Sequence, residues 1–228
     1  MSDDAPITPR RAETQARLLD AAAEIFAERG VLAATVEEIC DRAGYSRGAF
    51  YSNFASKDEL VLALLSADHV SNIAGVSRLL SDSVLSSIMG TREEAIEMAA
   101  TLWMQGRQTD RHWILMQQEI RSYAAREPVI RDAYLAFRRA FQTDVLAAMR
   151  PVIESYGLVL SMPEESAVEI LTAVYDSCVA NGLLHLTPEE NDIKNLDPAV
   201  LDQILAPMRV LLNAWILDVN LPDSGTER

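Results

Sequence analysis

Cysteine is nearly missing from this chain of 228 residues: there are two, Cys40 and Cys178, far apart in sequence. That count points away from a disulfide framework and toward reduced thiols. Histidine is sparse as well. His69, His112 and His185 are dispersed, so no Cys or His pair has the spacing of metal ligands. There is no Gly-x-Ser-x-Gly nucleophile elbow and no glycine-rich phosphate loop. We therefore expect no catalytic residues, no bound metal and no cofactor.

Positive charge is also short. Twenty Lys and Arg stand against 34 Asp and Glu, a net charge of −14. Such a balance gives no global attraction to nucleic acid or to an anionic membrane. Any nucleic-acid site has to be local and to work against the overall field. No uninterrupted apolar run approaches the ~18 residues of a membrane span. The N-terminus, MSDDAPITPRR, has acids where a signal peptide would be basic, and no apolar stretch follows. The expectation is a soluble, cytoplasmic protein with no membrane partner. A convincing strand alternation is lacking too; valines and isoleucines fall on helical periods instead.

What is present is helix. A hydrophobic content of 49% in 228 residues allows a substantial core and one or two domains. Residues 12–29 place Leu19, Ala23 and Phe26 on one face, with Leu18, Ala22 and Ile25 beside them, and Gly30 supplies a C-cap. Breaks fall at Gly30, Gly44, Gly90, near Asp110, before Pro128, from Gly157 to Pro163, and across the polar segment 186–198. Counting between them predicts an all-α chain of about nine helices.

Residues 35–44 read TVEEICDRAG. Thr35 with Glu38 makes a capping box, Val36, Ile39, Cys40 and Ala43 share a face, and Gly44 ends the helix. Ser46 is an N-cap for the next helix. Two short helices joined by a tight glycine turn, under the long helix 12–29, outline a helix-turn-helix. On residues 47–54, Phe50 and Phe54 face inward, while Gly48 and Ser52 face the opposite way and Ala49 and Tyr51 flank them. Glycine inside a helix costs roughly 1 kcal/mol relative to alanine. A groove-reading helix explains that cost: its outer face must be small, and its first turn must present donors such as Arg47 to base edges. The Tyr51 hydroxyl suits a phosphate. Ser56 and Glu59 make a second capping box, and Lys57 adds charge where a phosphate would meet a helix N-terminus. Packing alone also accommodates such a helix pair.

Residues 11–65 resemble the DNA-binding domain of the tetracycline-repressor family of bacterial regulators. The resemblance rests on LLDAAAEIFAERG (18–30), TVEEICDRAGYSRGAFYSNF (35–54) and SKDEL (56–60). It implies that Thr35 contacts a phosphate, that Ser46, Arg47, Gly48 and Tyr51 are recognition-helix contacts, and that Lys57 binds a phosphate. Asn53 stands where histidine is common, and it too can donate to a phosphate. Cys40 replaces a frequent alanine. Residues 1–60 still count acidic, with seven Lys and Arg against eleven Asp and Glu. Placement of Arg10, Arg11, Arg17, Arg42, Arg47 and Lys57 has to rescue binding, which predicts few ion contacts and a modest salt slope.

The rest of the chain carries no motif for a chemistry. Trp103, Met104, Trp113, Met116, Tyr123, Phe137, Phe141 and Tyr175 lie on predicted helices and suit either a core or a cavity lined by adaptable groups. Arg107, Arg111, His112 and Gln117 would be polar contacts of such a cavity, or ordinary surface residues. The resemblance implies that the helices after residue 58 form a pocket for a largely apolar small molecule. The last two helices are strongly apolar, with Val168, Leu171, Val174, Tyr175 and Val179 on one, and Val200, Ile204, Met208, Leu211, Leu212 and Trp215 on the other. They close the monomer's own core or, as in the family, build a four-helix dimer interface. The resemblance implies dimerisation through Val168, Leu171, Tyr175, Ile204, Met208, Leu211 and Trp215; a dimer as such also follows from DNA geometry, since a two-fold dimer sets two recognition helices on two half-sites.

The whole reading is a homodimeric regulator of double-stranded operator DNA. A helix-turn-helix domain over 9–57 precedes a regulatory domain over 58–220 that binds ligand and dimerises. A repressor released by ligand is the family's usual form. The alternative is a regulator without a small-molecule ligand that answers to a protein partner.

Overall fold

A computed structural model describes residues 9–79, 104–155 and 158–219. Among them are eight α-helices: α1 (Pro9–Arg29), α2 (Val36–Ala43), α3 (Arg47–Tyr51), α4 (Lys57–Leu79), α5 (Arg111–Ala124), α6 (Pro128–Ser155), α7 (Glu164–Gly182) and α8 (Pro198–Trp215). The expected break at Gly90, and Trp103, lie outside the described residues. The chain divides into two compact units. The first holds residues up to Asp68 together with His112–Phe137, and the second holds His69–Arg111 together with Arg138 onward.

In the first unit one apolar cluster joins Leu18, Ile25 and Phe26 of α1, Ile39 and Cys40 of α2, Phe50 of α3, Leu60 and Leu64 of α4, and Ile120 of α5. Burying each large side chain removes it from water and contributes roughly 1.5–3 kcal/mol. Met116 and Tyr123 belong to this cluster, and Trp113 and Phe137 are partly buried against it. These four, expected as ligand contacts, serve the packing of the first unit; an apolar stripe at helical spacing reads the same for a core as for a pocket. Tyr123 also donates its hydroxyl to Asp58 Oδ1 at 2.7 Å. Burial, reinforced by that bond, pushes the Tyr123 phenol up to about 12.

In the second unit α7 and α8 bury Val168, Leu171, Tyr175, Ile204, Met208 and Trp215 within a single chain. The seventh residue expected at a dimer interface, Leu211, is half-buried. The spacing did report a buried face, and the subunit itself covers most of it. Ile170 and Val210 are the large apolar residues that α7 and α8 leave exposed. Residues 164–185 have a mean hydropathy of 1.3 over an 18-residue window, long and apolar enough by composition to cross a membrane. Their run is interrupted by Glu169 and by Asp176, which pairs with Arg138 at 2.8 Å.

One feature departs from the all-helical expectation. Strands β1 (Leu158–Leu160) and β2 (Ile216–Val219) pair antiparallel, with Leu158 opposite Val219 and Val159 opposite Asp218. Strands this short leave no alternation to read. The polar segment after α7 forms turns held from outside. Arg111 donates to the carbonyls of Thr187 (2.6 Å), Glu190 (3.2 Å) and Leu186 (3.3 Å), and Thr109 Oγ1 donates to Asp192 at 2.7 Å. Arg111 is thus a clamp on that segment.

Candidate nucleic-acid interface

Local chemistry builds the helix pair as the sequence prescribes. Thr35 caps α2: its Oγ1 accepts from Glu38 N–H at 3.2 Å, and Glu38 Oε2 accepts from Thr35 N–H at 3.0 Å. Gly44 closes α2 in the left-handed region at φ 73°, where an L side chain would be strained. Ser46 Oγ then accepts from Ala49 N–H at 3.2 Å and starts α3. The second capping box is half formed. Ser56 Oγ accepts from Glu59 N–H at 3.2 Å, but the Glu59 carboxylate turns to Ala55 N–H, one residue before the expected partner.

On α3, Phe50 is fully buried, and Phe54 just beyond it is buried as well. Ser46, Arg47, Gly48 and Tyr51 are exposed, Tyr51 to 50%. A Cβ added at Gly48 would meet nothing closer than Ser46 Oγ at 3.7 Å, an ordinary contact, and its φ is not positive. The fold itself therefore does not require glycine there. What the missing side chain provides is a flat outer surface on α3. Arg47 forms an ion pair with Glu37 of α2; the Tyr51 side chain first and this carboxylate second strengthen its hold on its proton.

Lys57 differs most from expectation. Its ammonium donates to the carbonyls of Val31 (2.6 Å) and Ala34 (2.8 Å). It ties the start of α4 to the loop between α1 and α2. Burial holds this lysine below its ordinary value, with Asp58 opposing. An ammonium has three donors, so one remains beyond these two bonds. Because Ala34 directly precedes Thr35, the lysine lies beside the N-terminus of α2, where free N–H groups face outward. Asn53 turns its amide inward: Nδ2 donates to Ala49 O at 2.8 Å and to Ser52 Oγ at 3.3 Å, while Oδ1 is buried without a partner.

The basic residues around the turn are paired with neighbours. Arg42 forks onto Glu24 (2.9 Å) and Glu28 (3.0 Å), Arg29 pairs with Glu38, and Arg17 stands 5.2 Å from the Tyr45 ring centroid. The Arg42 guanidinium holds the Glu28 carboxyl below its usual range. Sequence reading proposed Arg17 and Arg42 for DNA and missed these pairs. Their partners lie one helix away, with no spacing rule to mark them.

Of the expected pocket residues, Met104, Arg107, Phe141 and Tyr175 fall in the second unit, where Phe141 and Tyr175 flank the Arg107 guanidinium. Trp113, Met116, Gln117, Tyr123 and Phe137 fall in the first, with Gln117 half-buried on α5. The structure therefore divides the expected pocket set between the two units.

The family model for bacterial regulatory proteins of the tetR family matches residues 18–64. Over 71 residues the chain is 48% identical to the transcriptional activator FasR of Mycolicibacterium smegmatis, covering 31% of this chain and 32% of that one. Over 59 residues it is 49% identical to the transcriptional repressor KstR2 of Mycobacterium tuberculosis, covering 26% and 28%. The similarity thus spans a third or less of the length of these curated relatives. Among solved structures, GusR of Salmonella enterica superposes with a TM-score of 0.64 at 16% identity, covering 95% of this chain and 98% of that one, a likeness of fold. Residues 18–64 thus form a segment similar to the tetR family of bacterial regulatory proteins, and the likeness of the rest of the chain is one of fold.

Proposed function

We infer that this chain is a cytoplasmic, sequence-specific transcriptional regulator rather than an enzyme. It binds a palindromic operator as a homodimer, with a helix-turn-helix domain over 9–57 and a regulatory and dimerising domain over 58–220. The observation that carries the reading is the outer face of α3. Arg47 and Tyr51 are exposed there around Gly48, whose missing side chain the fold does not need. Such a face enters a major groove, presents a guanidinium to a base edge and leaves the tyrosine hydroxyl for a phosphate. Thr35, Ser46 and the N-terminus of α2 supply further phosphate donors, with Lys57 beside them. Arg47 exchanges Glu37 for DNA on binding.

Dimerisation uses α7 and α8. Exposed Ile170 and Val210 support it, as does a concavity of about 450 Å³ between the two helices, lined in part by Val174, Cys178, Ile204 and Pro207. A small molecule bound in the second unit shifts α4, so that the two recognition helices no longer match their half-sites. A coupling of about 1–3 kcal/mol would change DNA affinity about 5- to 150-fold. Ligand-relieved repression is the proposed sign; one relative is named an activator and another a repressor.

The test is Arg47→Ala. It should remove about 1–3 kcal/mol of discrimination at one base pair of each half-site and leave thermal stability unchanged. Operator discrimination equal to that of the unaltered protein would refute the assignment of α3.

A further inference from the structure

Arg107 lies in the turn between Met104 and α5. Its guanidinium carbon stands 4.9 Å from the Phe141 ring centroid and 4.5 Å from that of Tyr175. Rings from α6 and α7 therefore both stand within cation–π reach of the guanidinium. A guanidinium carries five N–H donors, and ring contacts leave them in need of acceptors. Arg107 Nη1 is buried and hydrogen-bonds to no protein atom among the described residues. Leaving such a donor without an acceptor is costly, more so when it is charged.

The carboxylates on the same two helices are committed elsewhere. Asp144, one turn beyond Phe141, takes His69 Nε2 at 2.6 Å, and Asp176, next to Tyr175, takes Arg138 at 2.8 Å. His69 itself meets the Phe141 ring edge-on, with centroids 6.0 Å apart. The backbone that carries Arg107 is fixed in turn. Lys194 Nζ donates to Arg107 O at 2.8 Å, and Arg107 N–H donates to Met104 O at 3.3 Å. A Cβ added at Gly75 of α4 would stand 1.8 Å from Gly106 O, so the helix and the turn meet backbone to backbone.

We propose that Arg107 is the anion-recognition residue of an effector site in the second unit, and that the effector is an organic acid, a single carboxylate on an apolar body. One guanidinium, held rigid by two rings, matches one carboxylate in charge and in fork geometry. Lys194, which reaches this turn from the segment after α7, already donates to the carbonyls of Arg107 and Gln105. Met104 and Phe141, both buried, supply apolar surface beside the charge. The route to α4 is short: a carboxylate that moves Arg107 moves Gly106, whose carbonyl touches α4 at Gly75. This inference rests on the reading of the chain as a ligand-responsive regulator.

The experiment is calorimetric titration of the full chain with two matched pairs, octanoate against octanol and 4-phenylbutyrate against 4-phenylbutanol. At least one acid should bind about tenfold or more tightly than its alcohol. Arg107→Gln should bring the acid down to the level of the alcohol, and Arg107→Lys should restore part of the difference. Acids that bind no better than their alcohols in the unaltered protein would overturn the proposal without any variant, as would an Arg107→Gln protein that keeps the acid preference. Operator binding by the same preparation separates the two claims. Intact DNA binding with no acid preference removes this inference alone, while absent DNA binding removes the regulator reading.

Discussion

Three arginines of the first unit and two of the second are held in different ways. In the first, Arg29, Arg42 and Arg47 lie at the surface and are held by the carboxylates of neighbouring helices. Exposed pairs of this kind contribute little, and water or phosphate replaces the partner at small cost. In the second, Arg111 is fixed on three backbone carbonyls and Arg107 between two rings. The Arg111 bonds are part of the fold, and exchanging them means opening it. On the proposed reading, an acidic protein keeps a DNA-reading face by neutralising its cations with partners that are easily given up.

That contrast sets the size of each expected effect. Arg111→Met should be the largest. It removes the side-chain donor from the carbonyls of Leu186, Thr187 and Glu190, of which Thr187 O keeps Glu190 N–H, and should cost about 2–3 kcal/mol in denaturant unfolding, with faster amide exchange across residues 186–197. An unchanged midpoint would show that the segment holds itself. Lys57→Met applies the same test to the first unit, because the Val31 and Ala34 carbonyls lose a donor. We expect a loss of about 1–2 kcal/mol in stability, joined by a weakening of DNA binding that is equal for all sequences. A sequence-dependent loss would instead make Lys57 a base contact.

Tyr123 gives a pH test. Its phenol is raised in the folded state, so its contribution is complete below the ordinary tyrosine range and is lost as pH rises toward about 12. Tyr123→Phe should therefore lower stability by about 1 kcal/mol at neutral pH, with the difference from the unaltered protein closing in strong alkali. A difference that is constant to the highest pH would contradict this. Glu37→Gln should have the smallest effect. It frees Arg47 from its carboxylate and should tighten binding to operator and to unrelated DNA alike, by less than about 1 kcal/mol. Weaker binding would mean that Glu37 positions Arg47 for reading.

The first sixty residues were legible because their determinants are local. Thr35 and Glu38, Gly44 and Ser46 act across three or four positions, and each cap appears in the structure. The role of Lys57 was not legible, since its acceptors are carbonyls 23 and 26 positions away and any residue type supplies a carbonyl. The aromatic stripe of α5 and α6 announced burial without saying against what; Trp113 and Phe137 joined the first unit and Phe141 the second. The same ambiguity covered α7 and α8, whose apolar face the subunit fills with its own Met208 and Tyr175. Only the tertiary contacts separate a core from a pocket or an interface.

The measurement that bears most directly on the central claim is fluorescence anisotropy of the purified protein with its own upstream DNA, at two salt concentrations. The account predicts tight, sequence-dependent binding with two or four chains per site and a shallow salt slope, because few cations on this face are free of carboxylates. Weak binding that is blind to sequence and steep in salt would contradict it.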